Sequence, residues 1–165
     1  MKKFKLTYKP FGESAILVEW PQLISVEILN DIRSFVSKIE NNNIEEILEL
    51  NFVYSSMLVN YNSKYCNLNE LIKKLKLIYN EDFVNENFNK TVWEIPVCYV
   101  EEFGIDLEHL SLKKEMSTNE IIQLHSKVIY TVYGIGFLPG FLYLGGLSKK
   151  LHFPRKNTPH MLVPK

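Results

Sequence analysis

Apolar and polar residues change period several times along this chain, and each change marks an element. Ala15-Ile16-Leu17-Val18-Glu19-Trp20 is an apolar run that Pro21 stops, which predicts a strand. From residue 25 to 40 the period becomes helical. Ile28, Leu29, Ile32, Phe35, Val36 and Ile39 recur at three- and four-residue spacing, with Glu27, Asp31, Arg33 and Lys38 on other faces. Ser25 fits the N-cap, and Asn41-Asn42-Asn43 fits the end, because Asn tolerates the left-handed backbone that closes helices. Two strands are predicted at 44–52 and 56–61. In the second, Met57, Val59 and Tyr61 alternate with Leu58 and Asn60. Asn67 and Glu70 have the spacing of a capping box, opening a second amphipathic helix with Leu68, Leu71, Ile72, Leu75 and Ile78 on one stripe.

The polar stretch 80–89 reads as a turn or linker, and Trp93 to Tyr99 as a further strand. Strand, helix, strand, strand, helix and then a strand is the split βαβ order of ferredoxin-like folds. Beyond it, Glu101-Glu102-Phe103-Gly104 is an acidic turn and Asp106 to Leu110 a short helix. Ser117-Thr118-Asn119-Glu120 is a second capping box. Val128 to Phe137 is β-branched and aromatic and predicts a strand, and after Gly136 no period survives. The fold class expected is α+β, with residues 1–88 as one domain and 89–165 as another.

Composition changes this picture in one place. Glycines 134, 136, 140, 145 and 146 crowd together, and prolines 139, 154, 159 and 164 overlap or follow them, although the whole chain of 165 residues holds only 7 of each. Charge excludes more than it suggests. The 19 basic and 19 acidic side chains balance, whereas a general nucleic-acid binder shows a basic excess or stripe. Cys66 and Cys98 are too few for a disulfide framework and suit a reducing, cytoplasmic setting. The first nine residues lack a signal peptide's apolar run, and no apolar stretch reaches the length of a membrane span.

Generic catalytic motifs fail on inspection. Gly140 and Gly145 have P-loop spacing, but Gly146-Leu147 stands where Lys and a hydroxyl are required. Gly134-Ile135-Gly136 starts like a dinucleotide fingerprint, but Pro139 takes the third glycine's place. His109, His125, His152 and His160 have no metal-ligand spacing, so no metal is expected. Ser126 beside His125 points to another helix face, and Cys98 reads as a buried core thiol within its strand. The informative segment is Tyr133 to Leu147. Glycine allows a ligand close to backbone N–H groups, aromatic rings exclude water, and Pro154-Arg155-Lys156 adds cationic donors. Such a loop suits a small planar amide or carboxylate, and equally suits a tight barrel corner.

Several motifs together resemble one family. They are Ile95-Pro96-Val97-Cys98-Tyr99, Glu102-Phe103-Gly104-x-Asp106-Leu107, Leu124-His125, and Gly136-Phe137-x-Pro139-Gly140-Phe141-x-Tyr143-Leu144-Gly145-Gly146-Leu147. Phe11 to Val18, Pro154-Arg155 and Val163-Pro164 extend the likeness over almost the whole chain. The family they resemble is that of the 5-oxoprolinase B subunit, also known as allophanate hydrolase subunit 1 and as the sporulation-kinase inhibitor; it comprises carboxyltransferase domains of subdomain C and D type. The resemblance implies a bacterial, cytoplasmic protein with a small α/β N-terminal domain and a cyclophilin-like β-barrel. It implies a B subunit that works with C and A subunits to cleave 5-oxoproline to glutamate using ATP, the ATP being bound by the complex. The alternatives it carries are an interaction inhibitor of a sensor histidine kinase and a urea- or allophanate-related carboxyltransferase subunit.

Candidate site residues follow from the same motifs. Arg155 is expected to pair with an anion, and His125 to carry a proton or orient a neighbour. Backbone at Gly136 and Gly140, with Phe137, Pro139, Phe141 and Tyr143, is expected to hold and wall the substrate. His160 stands where the family often carries Arg. Relatives continue past Val163-Pro164-Lys165 into further barrel strands, so the barrel is expected to be incomplete here and the chain inactive alone.

Overall fold

The computed structural model describes residues 4–82 and 91–158. The chain separates into two compact units, Met1–Phe88 with Val132–Tyr143, and Asn89–Thr131 with Leu144–Lys165. Residues 132–143 therefore group with the first unit, although they lie far beyond it in sequence.

The first unit begins with β1 (Thr7–Phe11) and β2 (Ala15–Glu19), followed by α1 (Val26–Asn41), β3 (Ile47–Val53), β4 (Ser56–Tyr61) and α2 (Leu68–Asn80). The sheet order is β1-β2-β4-β3, and each neighbouring pair is antiparallel. β4 thus separates β2 from β3, which run in the same direction. That is the split crossover expected from the sequence, with one correction. The strand beside β2 comes from the N-terminal side, as β1, and not from beyond α2. β1 escapes the periodicity reading because Lys9 and Pro10 interrupt it. Both suit an edge strand, where a charge and a missing N–H discourage pairing with another chain. The opposite edge, β3, is broken by an irregularity between Ile47 and Glu49.

Alternation along the strands sets the core. Ile16, Val18, Met57 and Val59 are fully buried on one sheet face and meet Ile28, Ile32 and Phe35 of α1 and Leu71 and Leu75 of α2. Each such side chain contributes about 1.5–3 kcal/mol through burial. Ser25 caps α1 by accepting from the Ile28 N–H, and Asn43 takes the left-handed conformation just past its end, at φ 45°. Asn67 caps α2 as expected, but it accepts from the Asn69 N–H; no reciprocal box with Glu70 forms.

A polar cluster crosses this core. Asp31, 6% exposed, accepts from Trp20 Nε1 at 2.7 Å and from the Tyr79 hydroxyl at 2.8 Å. Lys38, 7% exposed, donates to the carbonyls of Tyr79 at 3.1 Å and Glu81 at 2.6 Å. Burial and the Asp31 carboxylate push the Tyr79 phenol above the ordinary tyrosine range, and burial does the same to Tyr8. The folded state therefore keeps its protons where the unfolded chain loses them. This contribution is complete below the unfolded tyrosine value of about 10 and is lost as pH rises past it. Urea midpoints are expected to fall above pH ~10, with a shallower fall in Tyr79→Phe; equal slopes in the two proteins would remove Tyr79 as the cause.

The second unit is built on α3 (Leu107–Lys114) and α4 (Thr118–Ser126) and on a 3-10 turn at Lys149–Leu151. Ile121 and Leu151 are its buried apolar residues among those described. The Ser117–Glu120 capping box forms in full: the Ser117 hydroxyl accepts from the Glu120 N–H, and the Glu120 carboxylate accepts from the Ser117 N–H. The Ser117 hydroxyl and then the Ser117 N–H, both donating to that carboxylate, hold the Glu120 carboxyl below its usual range. Ser117→Ala is expected to cost about 1 kcal/mol, read as a urea midpoint shift; no shift would mean that α4 does not depend on its cap.

Two expectations for the later half of the chain need correction. Trp93 to Tyr99 forms no strand, because none of these residues has a ladder partner among those described; Trp93 is 81% exposed. For the same reason Cys98 is exposed and not a core thiol. The strand predicted at 128–137 is shorter, as β5 (Thr131–Ile135), and it pairs with β6 (Leu142–Gly145), which periodicity does not reveal. The boundary at 88 and 89, part of the 80–89 linker, and Pro159, His160 and Val163-Pro164 lie outside the described residues.

Candidate active site

β5 and β6 carry the glycine-rich segment, and the turn between them is closed by its own backbone. The Gly136 N–H donates to the Phe141 carbonyl at 3.0 Å, Leu138 to Gly136 at 2.8 Å, and Phe141 to Leu138 at 3.0 Å. Phe137 and Gly140 both lie in the left-handed region, at φ 67° and 79°. A Cβ at Gly140 would meet nothing within 4 Å, so the backbone conformation alone favours glycine there. Phe137 has no such freedom, and its strained backbone presents a ring that is 81% exposed.

That ring starts a ladder within the first unit. Phe137 meets Phe141 at 5.7 Å between centroids, Phe141 meets Tyr143 at 5.2 Å, Tyr143 meets Tyr54 at 5.7 Å, and Tyr54 meets Tyr133 at 5.8 Å. The first three pairs are edge-to-face and the last is tilted, arrangements that aromatic rings favour. Tyr54 occupies the turn between β3 and β4 at φ 54°, where Gly or Asn is usual. It is the member of the ladder that the sequence motifs do not include. A signal for it exists: a tyrosine in the two-residue turn Tyr54-Ser55 has a backbone cost that its ring contacts offset.

The expected residues fare unequally. Phe137, Phe141 and Tyr143 come together in the ladder, and Pro139 lies in the turn between Phe137 and Phe141. The Gly136 N–H does not offer itself to a ligand oxygen, because the turn uses it. The glycine that packing demands is Gly134: a Cβ there would lie 2.7 Å from Val53 Cγ2 and 3.0 Å from the Phe52 carbonyl oxygen. His125 and Arg155 belong to the second unit. Arg155 is exposed. Its neighbour Lys156 forms an ion pair with Asp106, so that cation is already engaged. His125 Nδ1 lies 2.5 Å from the Tyr99 hydroxyl, and the Tyr130 hydroxyl donates to the His125 carbonyl at 2.9 Å. Among the described residues no group of three His, Cys, Asp or Glu side chains is arranged to hold a metal ion, and no helix is long and apolar enough to cross a membrane.

Residues 6–165 match the family described as carboxyltransferase domain, subdomain C and D. The chain belongs to this family. It is 35% identical over 155 residues to the 5-oxoprolinase B subunit of Haemophilus influenzae, covering 94% of this chain and 71% of that protein. It is 30% identical over 168 residues to the 5-oxoprolinase B subunit of Bacillus subtilis, covering 93% and 68%. Among solved structures, TTHA0988 superposes with a TM-score of 0.74 at 25% identity, covering 91% of this chain and 29% of that one. Kluyveromyces lactis urea carboxylase matches with a TM-score of 0.63 at 17% identity, covering 81% and 14%, which is a likeness of fold. The carboxyltransferase family assignment thus rests on the matched sequence and includes the aromatic turn.

Proposed function

We propose that this carboxyltransferase-family chain is the B component of an ATP-dependent 5-oxoprolinase that opens the lactam of 5-oxoproline to glutamate together with A and C subunits. The observation that carries this reading is the 35% identity to a 5-oxoprolinase B subunit over nearly the whole chain. The fold proposed with it is a ferredoxin-like α/β unit followed by a cyclophilin-like barrel unit, in a cytoplasmic protein that works as one subunit of a complex.

An amide in an unstrained lactam resists hydrolysis, so ATP activates its oxygen, and the protein must exclude water and stabilise developing charge. Within the first unit, the ladder from Phe137 to Tyr54 offers an apolar surface. Arg155 supplies a guanidinium for the substrate carboxylate. His125 supplies a donor or proton carrier. ATP is a co-substrate held by the assembled complex: Gly140 to Gly145 runs into β6 and lacks the Lys and hydroxyl of a phosphate loop.

The test is reconstitution with A and C partners and measurement of ATP-dependent glutamate release from 5-oxoproline. No turnover from a folded set removes the reading. In an active set, Arg155→Ala is expected to raise KM for 5-oxoproline about 10-fold or more while leaving KM for ATP unchanged; an unchanged KM for 5-oxoproline removes Arg155 from anion binding. A second reading, a urea- or allophanate-related carboxyltransferase subunit, is favoured by the family description. It requires turnover that depends on a biotin-bearing partner.

A further inference from the structure

Helix α4 delivers His125 in its last turn. The imidazole is half-buried between two tyrosines of the same unit. The Tyr99 ring lies 5.8 Å away at 82° and the Tyr130 ring 5.6 Å away at 47°. Tyr130 is also tied to the end of the helix through its bond to the His125 carbonyl, which fixes the floor on which the imidazole rests. The polar contact of the imidazole itself is the 2.5 Å approach of the Tyr99 hydroxyl to Nδ1.

A neutral imidazole has one N–H and one lone pair, and the hydrogen bond at one nitrogen decides the state of the other. Two pairings satisfy the Tyr99 contact. In one, Nδ1–H donates to the phenol oxygen, whose lone pairs are partly delocalised into its ring and accept weakly. In the other, the phenol O–H, a strong donor, meets the Nδ1 lone pair, a strong acceptor. The second joins the better donor to the better acceptor.

We propose that Tyr99 is a positioning residue that holds His125 as the Nε2–H tautomer, so that the imidazole works as a directed donor through Nε2 toward a carbonyl or carboxylate oxygen. The proposal deepens the 5-oxoprolinase reading and rests on it for the identity of that oxygen. The tautomer itself does not depend on that reading. Cys98 and Val100 on either side of Tyr99 are exposed, whereas Tyr99, packed edge-on against His125, is partly buried.

The experiment is long-range proton–nitrogen correlation NMR on 15N-labelled protein at a pH where the imidazole is neutral, with His125→Gln identifying the His125 signals. Tyr99→Phe keeps the ring packing and removes only the hydroxyl, and unchanged amide dispersion shows that it folds. The wild type is expected to show Nδ1 as an unprotonated acceptor and Nε2 protonated. Tyr99→Phe is expected to move both nitrogens toward the averaged values of a tautomer mixture. A wild-type Nδ1–H pattern, or a Tyr99→Phe spectrum that keeps the wild-type pattern, overturns the proposal. In the reconstituted complex, Tyr99→Phe is expected to lower kcat about 10-fold or more with KM for 5-oxoproline within about twofold. An unchanged kcat overturns the positioning role. A locked tautomer that the variant releases, in a wild-type complex that leaves 5-oxoproline intact, supports the proposal and counts against the 5-oxoprolinase reading alone.

Discussion

Asp31→Ala is expected to cost about 3–5 kcal/mol, a large part of what a domain of this size has to lose. The reason is the number of groups that rely on one carboxylate oxygen. Trp20 Nε1 and the Tyr79 hydroxyl both donate to Asp31 Oδ2, at 2.7 and 2.8 Å, inside the core between α1, α2 and the sheet. Both rings are themselves buried and pack on Phe35, with Tyr79 at 5.1 Å and Trp20 at 6.2 Å. Truncation leaves two buried donors without an acceptor and a void beside Phe35. Asp31→Asn separates the two effects. It keeps the volume and can still present one oxygen to both donors, so it is expected to cost about 1–2 kcal/mol. Urea denaturation of the two variants decides the matter. Equal losses would show that charge, and not the shared acceptor, is what the core requires.

The first unit is legible in the sequence because its elements follow from local physics. Helical spacing at Ile28, Ile32, Phe35 and Ile39, and alternation at Met57, Val59 and Tyr61, each point to the face that is buried. Where residues serve non-local needs, the pattern fails. β1 is an edge strand with Pro10, so its residues discourage pairing and carry no alternation. Trp93 to Tyr99 is rich in aromatic and β-branched residues although Pro96 interrupts it, yet preference alone does not provide a hydrogen-bonded neighbour, and none is present among the described residues. The site divides in the same way. Phe137, Phe141 and Tyr143 are visible in the sequence as an aromatic cluster in a glycine-rich segment. Tyr54 is not, because it lies about eighty residues earlier and joins them only through the fold. Gly136 stands out over Gly134 in the sequence because it begins the motif, whereas the close approach that demands a glycine is to Phe52 and Val53 on a distant strand.

That contrast gives a direct test of how the aromatic turn is held. Gly134→Ala is expected to destabilise the protein by about 1–3 kcal/mol and to loosen the turn from the end of β3, whereas Gly136→Ala is expected to be nearly neutral. At Gly134 the added methyl would sit 2.7 Å from Val53 Cγ2, 3.0 Å from the Phe52 carbonyl oxygen and 3.2 Å from Val53 Cα. Two of those three atoms are backbone, so relief requires the strands to part and not merely a rotamer change. The Tyr54 N–H bonds the Tyr133 carbonyl at 3.4 Å, next to this contact, and the Tyr54 ring stands between Tyr133 and Tyr143. Parting the strands therefore breaks the ladder at its middle and leaves Phe137 and Phe141 without support from the sheet. At Gly136 the added methyl meets only Tyr143 Cε2, at 3.9 Å, an ordinary contact. Near-ultraviolet circular dichroism reads the tyrosine packing directly. Gly134→Ala should lose much of that signal and about 10-fold or more of the reconstituted complex's kcat/KM, with Gly136→Ala close to wild type in both. If the two variants behave alike, the aromatic turn is not held through Gly134, and the apolar surface assigned to it has to be rigid by itself.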